Sequence, residues 1–146
     1  MAQRFDETLD GQGNLTVNSV RDIMRNVQER DARALRQPGS ESGDHPFWLA
    51  LELVNNKGYI HGEIVALGAL IIAWQCDERP ELLVEWLDRC RVRHRPTEMG
   101  LGREELRKGL AFAPDYMAQG NTSSILRHKP VTATQFENLW KFLETR

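Results

Sequence analysis

Apolar residues in this 146-residue chain recur three and four positions apart, and no run sustains an alternation of period two. Spacing of that kind puts the apolar side chains on one face of a helix, and the missing alternation leaves little room for a sheet. The fold class expected is therefore all-α, with at most short extended pieces. Val20, Ile23, Met24, Val27, Ala34 and Leu35 lie at helical spacing among charged residues and predict an amphipathic helix over roughly 17–36. Gln37 to Asp44 is polar, contains Pro and Gly, and reads as an exposed linker. Pro46 suits a first helical position for a short apolar helix that stops at Asn55-Asn56-Lys57-Gly58. His61 to Cys76 is apolar nearly all round and is expected to be central. Its Gly62, Ala66, Ala69 and Ala73 form a smooth stripe open to close backbone approach.

Pro80 opens a further helix expected to run to about Arg93, before a loop at Pro96 to Gly102. A helix over Arg103 to Ala113 follows, then one or two turns at Pro114 to Gly120 and a polar loop over 120–130. In the last helix Phe136, Leu139, Trp140 and Leu143 fall at i, i+3, i+4 and i+7, and Thr134 with Glu137 has capping-box spacing at its start.

Composition narrows the function classes. Nineteen Lys and Arg against twenty-one Asp and Glu give a net charge of -2, which argues against a uniform grip on nucleic acid or anionic membrane. Residues 1–78 carry 7 basic and 12 acidic groups, whereas 79–146 carry 12 and 9. Much of the positive excess is Arg89, Arg91, Arg93 and Arg95. On a helix these four would splay around the axis, in the role of a solvated helix end. Two cysteines, Cys76 and Cys90, exclude a disulfide framework and suit a reducing, cytoplasmic setting. The opening residues MAQRFDETLDGQG lack an apolar core, so no secretory leader is expected, and the most apolar run, Ile64 to Trp74, is too short to span a bilayer.

One short pattern returns four times: an aliphatic residue, then an apolar residue five positions on that opens a helix. The instances are Leu15/Val20, Ile60/Val65, Leu101/Leu106 and Val131/Phe136, and Gly13 and Gly58 precede the first two by two residues. This pattern resembles the second half of an EF-hand, in which a loop with Gly at its sixth position and an acidic ligand at its twelfth leads into a helix. Asp10 to Arg25 and Leu101 to Leu110 look like calmodulin-type loops with their exit helices. The resemblance implies helix-loop-helix pairs in two small lobes, 1–76 and 77–146, joined near Asp77 to Pro80. It also implies short β-bridges between paired loops at Leu15–Ile60 and Leu101–Val131. The same spacing arises at any well-capped helix start, so an unrelated helical bundle remains the alternative.

Calcium is not expected to bind. The ion requires six to eight oxygen ligands. In the EF-hand register the first loop offers Thr8, Asp10, Gln12, Asn14, Thr16 and Ser19, of which one is a carboxylate, and the second puts Lys57 where a dication would sit. The third offers two carboxylates, Glu98 and Glu105, and the fourth none. Such loops would hold their shape through their own hydrogen bonds. His61-Gly-Glu63 lacks the companion cysteines of a zinc deaminase. Cys76, Cys90 and His94 match no usual zinc spacing, and Cys90 reads more simply as part of an apolar helix face. No P-loop, nucleophile elbow or dinucleotide fingerprint is present. No metal, no cofactor and no catalytic residue is assigned.

The resemblance implies a calcium-independent, light-chain-like subunit that clamps an amphipathic helix of a larger protein, for example a myosin-type heavy chain. Ile23, Met24 and Val27 in the first lobe and Leu139, Trp140 and Leu143 in the second are the candidate groove residues. No nucleic acid and no membrane insertion enter this reading. The alternative function is a single-domain helical adaptor or inhibitor without EF-hand ancestry.

Overall fold

A computed structural model describes residues 10–12, 14–36 and 43–145, with backbone alone for 30–36. The helices are α1 (Val17–Arg36), α2 (Asp44–Asn55), α3 (His61–Cys76), α4 (Pro80–Arg89), α5 (Arg103–Gln119), α6 (Ile125–His128) and α7 (Ala133–Thr145). A 3-10 turn, Thr97–Met99, precedes α5. A single-residue bridge at Leu15 is the only extended pairing among the described residues, so the all-α class stands. The chain groups into two compact units, Met1–Ser40 and Glu41–Arg146, with α1 in the first and α2 to α7 in the second. Of the expected linker, residues 37–42 lie outside the described residues. Asp44 already begins α2, which makes Pro46 its third helical residue, not its first.

The recurring pattern has a local cause. At α1, the Thr16 hydroxyl accepts from the Ser19 amide at 3.1 Å and the Ser19 hydroxyl accepts from the Thr16 amide at 3.0 Å. At α7, Thr132 and Gln135 exchange the same two bonds, each side chain accepting from the other's amide, at 3.3 and 3.0 Å. At α5, the Gly102 amide donates to the Glu105 carboxylate at 2.8 Å. These are capping boxes, complete or half, and they satisfy amides that a helix start leaves open. Leu15/Val20, Leu101/Leu106 and Val131/Phe136 occupy the two positions that flank such a box, where an apolar pair sets the entry of the chain. Only α3 departs: its N-cap is Ile60 itself, which brings no capping side chain. The box of α7 falls at Thr132–Gln135, two residues before the expected Thr134–Glu137, because Ala133 is already helical. Neither Leu101 nor Val131 lies in a bridge, and the Leu101 amide donates within its own loop, to the Pro96 carbonyl at 2.9 Å.

Helix ends repeat a motif as well. After α2, α3, α4 and α5 the chain turns through a left-handed residue, Asn56, Asp77, Arg91 and Asn121, with φ of 47°, 58°, 55° and 51°. In each case the amide of the following residue reaches back five positions: Lys57 to Glu52, Glu78 to Ala73, Val92 to Leu87 and Thr122 to Met117. This is the Schellman termination. Asn and Asp tolerate the left-handed region better than other β-carbon-bearing residues, so Arg91 is the odd member of the set. The turn at Cys90 to Val92 stops α4 at Arg89, short of the expected Arg93. Conversely, α5 continues through Pro114 to Gln119, where a break was expected. Pro114 removes one helical amide, but Ala113 and Met117 on either side of it are fully buried, and that packing carries the helix past the gap.

In the second unit α2 packs along α5 and against α3, while α3 also meets α4 and α6. α2 and α5 approach closely at Gly109, where an added β-carbon would stand 2.3 Å from Leu51 Cδ1. On α3 the close approach is at Gly68, where an added β-carbon would stand 3.1 Å from the Asp44 backbone, not along the Gly62–Ala73 stripe; Gly62 faces open space. Phe47, Leu51, Ile64, Leu67, Leu70 and Ile71 are sealed in the core, each contributing about 1.5–3 kcal/mol by removal from water. The expected centrality of α3 is met, and its buried Gln75 donates to the Lys129 carbonyl at 2.8 Å, tying down the loop before α7. Asp77 to Pro80, the expected junction between lobes, is a tight turn inside the second unit, with α4 folded back on α3.

Candidate partner-binding surface

The sequence places Val20, Ile23, Met24 and Val27 on one face of α1, and in the structure that face is open. Ile23 is 45%, Met24 54% and Val27 39% exposed, and Leu15 and Val17 at the start of the same segment are more exposed still. Around the stripe, Arg21 donates to Asn18 at 3.2 Å and Arg25 lies 4.0 Å from Asp22. Pairs this exposed add little to stability and leave the helix surface available. The side chains of Ala34 and Leu35, expected to extend the stripe, lie outside the described residues.

The three candidates on α7 have another setting. Leu139 and Leu143 are fully buried in the core of the second unit, so neither lines an open groove. Trp140 is half-buried beside Phe136, their ring centroids 6.3 Å apart. The outer face of α7 is polar: Arg103 pairs with Glu137, and Glu144 accepts from the Thr97 amide and hydroxyl at 3.1 and 2.6 Å. The structure thus gathers Leu139 and Leu143 inside one core and leaves Ile23, Met24 and Val27 on a separate unit.

The loops expected to hold shape without an ion do so through their own groups. Asp10 Oδ1 accepts from the Gln12 and Asn14 amides at 2.9 and 2.8 Å, so loop amides occupy the carboxylate. The Lys57 ammonium donates to the Gly100 carbonyl at 2.7 Å and to both Glu105 carboxylate oxygens at 3.0 and 3.1 Å, tying the α2–α3 loop to the start of α5. The Gly102 amide and this ammonium hold the Glu105 carboxyl below its usual range. Tyr59 lies 5.0 Å from Lys57 Nζ by its ring centroid, and its hydroxyl is buried without a partner. Burial, reinforced by the Glu105 and Glu52 charges, pushes Tyr59 up to about 12.

Among the described residues no three His, Cys, Asp or Glu side chains converge as a metal site. Cys76 and Cys90 are both exposed; Cys90 sits in the turn after α4, not on an apolar helix face as expected. His94 is buried, with Nδ1 3.2 Å from the Val92 carbonyl. His61 stacks edge-on against Trp48 at 4.3 Å, and Glu63 receives Arg93 at 2.7 Å, so the His61-Gly-Glu63 fragment is spent on packing and pairing. No helix among the described residues is long and apolar enough to cross a membrane.

Two surface hollows escaped the sequence reading. One, of about 480 Å³, lies beside the end of α2 and is lined by Leu49, Leu53, Lys57 and Tyr116 among others. Leu49 and Leu53 stand four apart, but nothing in the sequence says that this face of α2 is left uncovered by α5. The other, of about 200 Å³, is lined by Arg91, Arg93 and Arg95 together with Asp88, His94 and Glu98. In the sequence Arg91-Val-Arg-His-Arg95 sets three arginines two positions apart, and in the structure the segment is not helical. Against this geometry, no known protein family, curated protein or solved structure matches the chain.

Proposed function

We propose that this chain is a non-catalytic helical interaction protein that works without calcium and pairs the apolar face of α1 with an amphipathic helix of a larger partner. One observation carries the reading: Val20, Ile23, Met24 and Val27 repeat at i, i+3, i+4 and i+7 and are all exposed. A stripe of this width is what one helix offers another in side-by-side packing. The partner helix carries both charge signs beside its apolar stripe, since Arg21, Asp22, Arg25 and Glu29 flank the face on α1. The reading does not require EF-hand ancestry, because helix-start chemistry accounts for the recurring pattern. Asp10 and Glu105, the first loop's carboxylate and the third loop's last, are occupied by amides and an ammonium, which supports calcium independence. In the larger hollow Glu52 accepts from the Tyr59 amide and Lys57 is turned onto Glu105, an arrangement that favours a binding protein over an enzyme. Two exposed thiols support a reducing, cytoplasmic setting.

Affinity capture of the natural partner tests this. The complex with the wild-type chain should survive chelator, and it should be lost with Ile23→Ser/Met24→Ser. Loss on adding chelator, or undiminished capture by the double variant, sinks the proposal. So does a wild-type homodimer that the double variant converts to monomer, since α1 would then be covered by a second copy.

A further inference from the structure

We infer that the hollow formed by Arg91, Arg93 and Arg95 is a binding site for a phosphate monoester. The inference does not rest on the α1 reading. Because α4 ends at Arg89, the chain leaves the helix through a left-handed turn at Arg91, and residues 92–95 are not helical. Arg91, Arg93 and Arg95 line one hollow of about 200 Å³, together with the half-buried Val92 and the buried His94. Arg93 and Arg95 meet at Glu98, one bonding its carbonyl and the other its carboxylate.

Two of the three are already tethered. Arg93 donates through Nε to Glu63 at 2.7 Å and through Nη1 to the Glu98 carbonyl at 3.3 Å, which leaves Nη2 outside these bonds. Arg95 donates to the Glu98 carboxylate at 3.1 Å. A tethered guanidinium loses less side-chain freedom when a ligand arrives. Arg91 is held differently, by a left-handed backbone at φ 55° that glycine would adopt without strain, and its guanidinium has no ion-pair partner among the described residues.

The charges around the hollow select the ligand. Asp88 and Glu98 line it, and Glu63 sits behind Arg93, so the site already contains carboxylates. A monoanionic carboxylate ligand offers Arg93 and Arg95 nothing they lack. A phosphate monoester brings close to two charges and three acceptor oxygens, enough to take one donor from each of three guanidiniums at once. The group is carried by a phosphorylated side chain of a partner or arrives as free phosphate; both present the same oxygens.

Nuclear magnetic resonance titration of the full chain at fixed pH and ionic strength tests the site. The ligands are inorganic phosphate, a capped phosphoserine peptide, the same peptide with glutamate in place of phosphoserine, and chloride. Saturable shifts confined to residues 88–98 are expected with phosphate or phosphopeptide and not with the other two. Arg91→Gly should weaken binding at least about tenfold, the loss of one charge-assisted contact, without lowering the melting temperature. Arg91→Gln, which keeps the β-carbon, should weaken it equally. Saturation by phosphate but not phosphopeptide supports the site and names the free ion as its source. Equal binding of the glutamate peptide, shifts of the same size with chloride, or unchanged affinity in both Arg91 variants overturns the inference.

Discussion

Helices α1 and α7 carry the same apolar spelling, with residues at 20, 23, 24 and 27 in one and 136, 139, 140 and 143 in the other. In α7 that face is sunk into the core of the second unit; in α1 it is open to water. The difference is not written in either helix. An amphipathic pattern states that a face must be covered and is silent on what covers it. For α7 the cover is the unit's own buried core, joined by Phe136, Leu139 and Leu143. For α1 the cover is assigned here to another protein.

The sharpest way to break this contrast is to truncate one residue on each face. Leu139→Ala should destabilise the protein by about 2–5 kcal/mol, the cost of a cavity in a packed core. Met24→Ala should change stability by no more than about 0.5 kcal/mol, as exposed substitutions do. Denaturant midpoints at unchanged slope read both. A Met24→Ala loss comparable to that of Leu139→Ala would mean that the α1 face is covered within the chain, and the proposed partner helix would have no place to bind.

A smaller effect sharpens the comparison at the helix starts, where the two helices are alike. Thr132→Ala removes the box of α7 and should cost about 1 kcal/mol of global stability. Thr16→Ala removes the matching box of α1, and its effect should be read locally, as faster amide exchange at Val17 to Val20. An unaffected Thr132→Ala protein would show that the observed bonds do not hold the α7 start, and helix-start chemistry would no longer explain the recurring pattern.

Much of the fold was legible because it is local. The spans of α1 and α3 follow from periodicity and from the residues at their ends. What escaped depended on distant partners. That Gly109 admits Leu51 depends on chain more than fifty residues away, and the burial of Met117 that carries α5 past Pro114 depends on the assembled core. The Leu139 and Leu143 assignments went astray for the same reason: their spacing was read correctly, but a core side chain and a groove side chain have identical spacing. The Arg hollow was missed through a boundary error. Extending α4 to Arg93, four residues past its end, makes a helix of the segment whose three arginines line the hollow. The recurring aliphatic pattern coincides, in three of its four instances, with side chains or amides that satisfy a helix start.

The smallest expected effect tests how dry the edge of the second unit is beside that same α2–α3 loop. Tyr59 is raised to about 12 from an ordinary value near 10, first by burial and then by Glu105 and Glu52. Because the folded state holds the phenolic proton more tightly than the unfolded chain, the unfolded chain ionises first as pH rises past 10. Stability should therefore be flat in this respect below pH 10 and fall between about pH 10 and 12. With Tyr116→Phe in place, Tyr59 is the one remaining tyrosine, and its absorbance at 295 nm should titrate near 12. Adding Glu105→Gln should lower that midpoint only partway, since burial is the larger cause. A midpoint near 10 would show that water reaches the Tyr59 hydroxyl, and the loop tied by Lys57 to Gly100 and Glu105 would then be open in solution.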